Sequence, residues 1–549
     1  MYVMWFVCGK MSHPLYSSSD VQGSKGCRRN SFFSLEFIKF KFFFRNFGEL
    51  EEKMACLLGI DIGTTNTKII IFTENGDIVE ERAFPTPFIS DEYGGCYQPQ
   101  EVLNVLLENL KSFSSGAKKE VVALSISSFA EVMVGLDKSL QPITKSPAWF
   151  DTRTDTIFQE MKDTIKSDNI YRLTGLSPQS KYSLYKLLWH KKFEPEIFQS
   201  VRYWTSMSGY VLAALSGVLS FDYSLASRTM FYDQQNRLWS QELLRIIGVP
   251  LEKMPHLTPS GIILDMIKKD IAGFTGLPEN LQVVTGGHDH LCAAVAVGVF
   301  KQGQVLISTG TTENLTMALD GIPQINLSQL KRSFSWGHHA IPERYYGMSG
   351  IYSGGYSLEW FLKLVNENYQ YLKEMSQEVP KEVSLFFPYL LGADYDGARG
   401  AFINLEGQME KADLTKSLII SLGFEYKDLW DIMAQNLNIK VERVTNVGGG
   451  TQNDFWMKVK SAVLNEKILV PQDKEGSCKG AAILAGMAVG LYNEPEDAYR
   501  KTFHLAKIYE PDPELRESLL PWYRLYLELR DDIRHLNEKM KIIQSKRRK

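Results

Sequence analysis

No two of the six cysteines, Cys8, Cys27, Cys56, Cys96, Cys292 and Cys478, stand at the C-x-x-C spacing that a zinc site or a redox pair requires. They read as reduced thiols, which implies a cytoplasmic protein. An excess of one charge is also lacking: 61 Lys+Arg face 64 Asp+Glu, a net charge of -3. A nucleic-acid binder that works by bulk electrostatics is thereby excluded. No apolar run is long enough to cross a bilayer, and Met1 to Cys8 is too short for a signal-peptide core and has no basic residue ahead of it. What remains is the composition of an ordinary globular protein, 44% hydrophobic and 23% charged, in 549 residues. A chain of that length exceeds one simple core and implies two or three domains.

The first 53 residues differ from the rest. A Ser-rich, basic stretch leads into FFSLEFIKFKFFFRNFGELEEK, where aromatic residues crowd together without helical period or turn signals. Arg28, Arg29 and Arg45 suit a mitochondrial presequence, but the acidic residues and the phenylalanine density do not. The segment reads as an extension outside the functional fold, with Met54 as the natural start.

Order begins at Ala55. ACLLGI, DIGTTNTK, IIIF, a turn at Glu74 to Asp77 and IVEERAF predict consecutive antiparallel strands. Lys68 runs into a strand rather than opening a helix, so this is not a P-loop. A Gly-Thr-Thr turn between strands still offers backbone N–H groups and two hydroxyls to phosphate oxygens, with Asp61 placed to hold a hydrated Mg2+; taken alone, it equally fits a polar hairpin. The pattern returns at VLI-STGTTEN-LTMAL, with Gly310 standing where Gly63 stood, about half the chain later. That repeat implies two related domains whose turns grip a polyphosphate from both sides.

Two further elements carry chemistry. In VTNVGGGTQNDFW, a strand ending at Val447 is followed by three glycines and a helix beginning near Thr451. The turn either serves tight packing or admits a flat ring against bare backbone, with Asn453 reaching a ribose or base edge. In VVTGGHDHLCAAVAVGVF, Asp289 lies between a strand and an alanine-rich helix. It reads as a helix cap or as a carboxylate that takes a proton from a substrate hydroxyl. Metal binding by His288, Asp289 and His290 is less attractive, because no further ligand follows at helical spacing. The helix GAAILAGMAVGLY from Gly480 has the small residues of a closely packed core element.

In this order and spacing the motifs resemble the FGGY carbohydrate kinases, from Met54 to about Lys507. DIGTTNTK, GGHDH, STGTT and GGGTQNDFW are similar to the family's first phosphate, catalytic, second phosphate and adenosine motifs. SPAWFDTR, YKLLWHKKFEPEIF, FDYSLASRTMFYD and PYLLGADYDGARGAF agree as well, although Lys181 and His190 depart from the family pattern around YKLLW. The resemblance implies two actin/ribonuclease-H-like α/β domains of the hexokinase and Hsp70 superfamily, with ATP and sugar in the cleft between them. It implies an extension at 1–53, an N-terminal domain at 54–303 with sugar and phosphate sites, a C-terminal domain at 304–520 with the nucleotide site, and a basic helical tail at 521–549. By position, Asp289 would be the general base and Asp61 would hold Mg-ATP, with Gly63, Thr64, Thr65 and Lys68 around the phosphates. Gly310 and Thr311 would meet the phosphates from the second domain, and Gly449 and Asn453 the adenosine. Glu131, Trp149, Asp151, His288 and Asp289 would form the sugar pocket.

The implied activity is ATP-dependent phosphorylation of a hydroxyl on a small sugar or derivative, a ketopentose or similar. SFAE at 128–131 matches neither the xylulokinase nor the glycerol kinase pattern. No nucleic-acid or membrane partner is expected, and a homodimer is left open. The competing classes are an actin- or Hsp70-like ATPase and a sugar-binding regulator. A regulator of related fold would need a helix-turn-helix near residue 1, which the aromatic segment does not supply. A chain begun at Met54 should fold and keep full activity; insolubility or inactivity of that chain beside a working full-length protein would make 1–53 a structural element.

Overall fold

The strand alternation after Ala55 folds as it reads. In a computed structural model, which describes residues 55–165, 167–325, 334–393 and 397–547, β1 (Cys56–Ile62) and β2 (Asn66–Thr73) form an antiparallel hairpin with Asp61 opposite Lys68. The expectations for residues 1–53 and Met54, and residues 394–396 of the PYLLGADYDGARGAF motif, lie outside the described residues. β2 pairs antiparallel with β3 (Ile78–Pro85), across a turn that needs Gly76 at φ +83°. β4 (Val121–Ser128) lies parallel to β1, β6 (Gln282–His288) parallel to β4, and β5 (Ile263–Met266) closes the edge antiparallel to β6. The order is β5-β6-β4-β1-β2-β3. Leu57, Leu58, Ile60 and Ile62 are all buried because both faces of β1 are covered, which explains its nearly continuous apolar run.

The second half repeats the plan. β7 (Gln304–Thr309), β8 (Glu313–Leu319) and β10 (Tyr345–Ile351) form an antiparallel meander, with β9 (Ser335–His338) at its edge. β11 (Arg443–Val447) and β12 (Ile468–Pro471) add parallel to β7, and β13 (Leu505–Tyr509) ends the sheet antiparallel. The order β9-β10-β8-β7-β11-β12-β13 sets β7, β8, β10, β11 and β12 in the places of β1, β2, β3, β4 and β6. The two Gly-Thr-Thr turns are therefore equivalent links of two ribonuclease-H-like sheets, and the expected two-domain α/β plan is present.

Six helices matter for the site: α1 (Ser183–Phe193), α2 (Asp289–Ala296), α3 (Lys411–Leu437), α4 (Asp454–Leu464), α5 (Gly476–Ala488) and α6 (Pro513–Arg547). α3, α4 and α6 fill the second core. The expected boundary at 520/521 is corrected here, because α6 runs unbroken through Pro521 for 35 residues. Leu519, Tyr523, Tyr526 and Ile533 are buried in that core. The Tyr526 hydroxyl donates to Glu425 at 2.6 Å and the Tyr523 hydroxyl to Asp431 at 3.0 Å. Tertiary packing thus outweighs the N–H that Pro521 cannot donate. Among the described residues, no helix is long and apolar enough to cross a membrane.

α5 comes from the second half of the chain yet covers the first sheet. Cys478, Ala482, Ile483 and Leu484 join Leu57, Ile70, Ala123, Val284 and Leu291 in one cluster. The approach is backbone to backbone: a Cβ at Gly480 would lie 1.8 Å from the Cys292 carbonyl oxygen of α2, and one at Gly59 would lie 2.0 Å from the Cys478 carbonyl oxygen. Gly480→Ala should therefore force the helices apart and cost about 1–3 kcal/mol or more in urea unfolding. Gly273→Ala, in the helix Lys269–Thr275 where a Cβ meets open space, should be neutral or slightly stabilising; equal effects from the two would refute the close-packing account.

Candidate active site between the two sheets

A cavity of about 310 Å³ lies between the sheets. Its walls come from Thr64 in the β1–β2 turn, Phe129 to Glu131 after β4, Trp149, and His288 to His290 at the β6–α2 junction. The second sheet closes it with Thr312 to Asn314 and with Met348 to Tyr352 at the end of β10. β1, β4 and β6 run parallel, so this is the crevice beyond their carboxyl ends, where open α/β sheets bind ligands.

Asp289 sits where β6 becomes α2. Glycines 286 and 287 let β6 run close to its neighbours: a Cβ at Gly286 would lie 2.0 Å from the Ile126 carbonyl oxygen. The residue before the helix is His288, whose N–H donates to Ser224 Oγ at 2.9 Å. Asp289 Oδ1 accepts the His290 N–H at 2.7 Å and lies 3.1 Å from His288 Nε2, with 27% of the side chain exposed. Burial pushes the Asp289 carboxyl up to about 7; the His290 N–H pulls it down and the Glu131 charge raises it. Burial also drives His288 well below the ordinary imidazole range and His290 down to about 4, so both rings are neutral. A neutral His288 can donate Nε2–H to Asp289, which orients the carboxylate. The donor atoms of His288, Asp289 and His290 lie within 4.8 Å of one another, and no further His, Cys, Asp or Glu joins them among the described residues.

Asp61, at the end of β1, accepts from Ser127 Oγ at 2.9 Å. Burial and the nearby Asp289 charge push its carboxyl up to about 7, against the pull of Ser127 and Lys68. Asp61 at the end of β1 and Asp289 beyond β6 lie on either side of β4, and their repulsion favours a cation at Asp61, whose carboxylate suits a hydrated divalent ion. Lys68 Nζ, expected on the phosphates, donates to both oxygens of Glu475, at 2.8 and 2.6 Å. Glu475 immediately precedes α5, and the sequence reading did not single it out.

The first turn needs its glycine, since a Cβ at Gly63 would lie 2.6 Å from the Asn66 carbonyl oxygen. Thr64 Oγ1 accepts the Trp149 indole N–H at 3.0 Å, and Thr65 is exposed. In the second turn the Gly310 N–H donates to the Thr312 carbonyl at 3.2 Å, while Gly355 and Tyr356 donate to the Gly310 and Thr311 carbonyls at 3.0 Å each. Beneath it, Lys460 and Glu313 form a wholly buried ion pair, and Lys460 Nζ also donates to Thr309 Oγ1 at 2.6 Å. Sequence reading missed this support.

In the third turn, Gly448 at φ +97° and Gly450 are demanded by contact with Thr309; a Cβ at Gly449 would point into open space. Packing thus accounts for two of the three glycines and leaves Gly449 free to meet a ligand. The helix begins at Asp454 rather than near Thr451, because Gly449–Gln452 forms a 3-10 turn first. Asn453 caps α4 by accepting the Trp456 N–H at 2.9 Å, and its Nδ2 has no partner among the described residues.

Glu131 is in the cavity wall and is more constrained than expected. Its φ of +62° is unusual for a residue with a side chain, and its carbonyl accepts Lys186 Nζ of α1 at 2.7 Å. Its Oε1 accepts Arg228 Nε and Nη2 at 2.9 and 2.7 Å, and Arg228 Nη1 donates to Ser335 Oγ of β9 at 3.1 Å. Arg228 and Lys186 stand inside motifs quoted for the resemblance, but their role was not read from them. Asp151 departs from expectation: it is buried away from the cavity wall, and its carboxylate accepts Arg153 Nε at 2.8 Å, the Arg153 N–H at 2.9 Å and the Gly95 N–H. It anchors the loop that carries Trp149.

Residues 56–296 match the model of the FGGY family of carbohydrate kinases, N-terminal domain, and residues 305–489 that of the C-terminal domain. A xylulose kinase of Bacillus subtilis is 25% identical over 505 residues, covering 89% of this chain and 99% of that protein. A gluconokinase of the same organism is 24% identical over 489 residues, covering 85% and 94%. The crystal structure of ligand-bound xylulose kinase from Lactobacillus acidophilus superposes with a TM-score of 0.82 at 23% identity, covering 89% of this chain and all of that one. With both domain models matched in order, the chain belongs to the FGGY family of carbohydrate kinases and has its two-domain, actin-like fold.

Proposed function

We propose that this carbohydrate kinase transfers the γ-phosphoryl group of ATP to a hydroxyl of a small sugar or sugar derivative, with Asp289 as general base. One observation carries the reading: the Asp289 carboxyl faces the cavity between the two Gly-Thr-Thr turns, tethered by His288 and raised to about 7. A base near the working pH both accepts the hydroxyl proton and remains ionised enough to act. An actin- or Hsp70-like ATPase, or a regulator without catalysis, has no need of such a group beside an acceptor cavity.

Phosphoryl transfer requires positioning and charge neutralisation more than covalent chemistry. The exposed Thr65 and Thr311 hydroxyls, with Thr64, Gly63, Gly310 and Lys68, would line the phosphates. Gly449 and Asn453 Nδ2 would face the adenosine. Mg2+ suits the Asp61 carboxylate and would neutralise phosphate charge there. Trp149, pinned to Thr64, would wall the acceptor pocket, with Glu131 accepting a sugar hydroxyl and His288 orienting the base. Asp151 supports Trp149 rather than touching the acceptor. The four described cysteines, Cys56, Cys96, Cys292 and Cys478, are buried free thiols, which suits a cytoplasmic setting.

Asp289→Asn keeps size and most hydrogen bonding but removes the proton acceptor. Turnover should fall roughly a hundredfold to ten-thousandfold, while Mg-ATP binding, followed by calorimetry, changes little. Near-normal phosphorylation by the folded variant would leave Asp289 with a structural role alone. The base acts unprotonated and its pKa is raised, so kcat/KM for the acceptor should fall as the pH drops through about 7, nearly tenfold per unit below it. An acid limb in the ordinary carboxylate range, near pH 4, would contradict that assignment.

A further inference from the structure

One cation in the cavity wall, Lys181, has no ion-pair partner among the described residues. Arg228 and Lys181 both line the cavity, and both flank one buried ring: the Arg228 guanidinium carbon and Lys181 Nζ each lie 5.4 Å from the Tyr182 ring centroid. Glu131 is the carboxylate beside them, and Arg228 claims its Oε1 twice. Lys186 lies beneath with its Nζ on the Glu131 carbonyl, but burial lowers it to about 7, so it adds only part of a charge. None of the acids contacts Lys181: Glu313 is paired with Lys460, Asp289 is hydrogen-bonded to the neutral His288 and the His290 N–H, and Glu131 feels the Lys181 charge while its Oε1 is held by Arg228. No hydrogen bond or ion pair joins the Lys181 ammonium to any described residue. Two like charges on one ring repel each other, and a half-buried ammonium loses hydration as a ligand fills the cavity. A neutral sugar compensates neither cost, whereas an anionic group on the acceptor compensates both.

We propose that the acceptor is a sugar acid and that Lys181 is the residue that reads its carboxylate, an inference that rests on the kinase reading of the same cavity. One ammonium matches one singly charged carboxylate, and the hydroxyls are left to Glu131 and Asp289. The test uses the full chain and compares aldonates of five and six carbons with ketoses, polyols and sugar phosphates of equal length. The wild-type protein should favour an aldonate in kcat/KM. Lys181→Met should raise its KM about ten- to hundredfold, the range for losing a hydrogen bond to a charged group. The loss should fall on KM rather than kcat, leave the KM for ATP within about twofold, and be partly restored by Lys181→Arg; a folding defect would not show that split.

Calorimetry without ATP supplies a second readout, in which aldonate binding should be present in the wild-type protein and weakened in Lys181→Met. Preference for a neutral sugar or a sugar phosphate, an aldonate KM unmoved by Lys181→Met, or absence of aldonate binding would each overturn the proposal. Phosphorylation of neutral sugars alone would do so while sparing the kinase reading. Aldonate binding through Lys181 without phosphoryl transfer to any acceptor would instead spare this proposal and remove the kinase reading.

Discussion

At Gly480 and Gly59 the chain brings backbone against backbone with no side chain between, and the geometry of the candidate site hangs on that contact. Cys292, the residue Gly480 touches, is in the first turn of the helix that Asp289 opens. Cys478, which Gly59 touches, follows Glu475 by three residues, and Gly59 precedes Asp61 by two on β1. One close-packed junction thus sets the spacing of Asp61, Asp289 and Glu475. Interiors at crystal-like density do not absorb such changes locally. A shift of α5 would pass directly into the carboxylate separations.

Those separations are electrostatically costly, and the cost serves a purpose. Asp61 and Asp289 are raised to about 7 chiefly by burial, and Asp61 further by the Asp289 charge. A site in that condition favours whatever brings positive charge to Asp61 or takes up a proton at Asp289. The neutral imidazoles of His288 and His290 leave this demand unmet, so it falls on the ligands. The two halves are also tied across the cavity by Arg228 to Ser335 and across the junction by Lys68 to Glu475. On the kinase reading, each of these ties places a cation where a phosphate or acceptor would arrive.

What was legible in the sequence was what local chemistry decides. Strand alternation, Asn-Gly turns and the recurring Gly-Thr-Thr link depend on residues within a few positions of one another, and they gave both sheets and their equivalence. The Gly480 helix was readable as closely packed because small residues have few other uses in a buried helix. Partnerships between distant residues were not readable. Glu131 and Arg228 are 97 residues apart, Glu313 and Lys460 are 147 apart, and Lys68 and Glu475 are 407 apart. Nothing near either partner announces the other. Asp151 was expected in the sugar pocket by its position in the family motif; it instead pairs with Arg153 two residues on and accepts the N–H of Gly95, 56 residues back, a contact that the motif does not announce. The boundary at 520/521 failed because the aromatic residues of α6 find their partners on α3, not within α6.

The same division explains why the family is plain and the acceptor is not. The Gly-Thr-Thr turns and the Gly448–Gly450 turn present backbone and hydroxyls, and Gly63, Gly448 and Gly450 tolerate no side chain where they stand. Such elements stay recognisable at about 25% identity to a xylulose kinase and 24% to a gluconokinase. The acceptor wall is made of side chains from separate loops, Glu131, Trp149, Lys181 and Arg228, each replaceable without disturbing a strand. The xylulose kinase and the gluconokinase are almost equally distant overall, so overall identity does not choose between them. On the kinase reading the choice lies in the charge of the few side chains that line this cavity, among which Lys181 has no ion-pair partner of its own among the described residues.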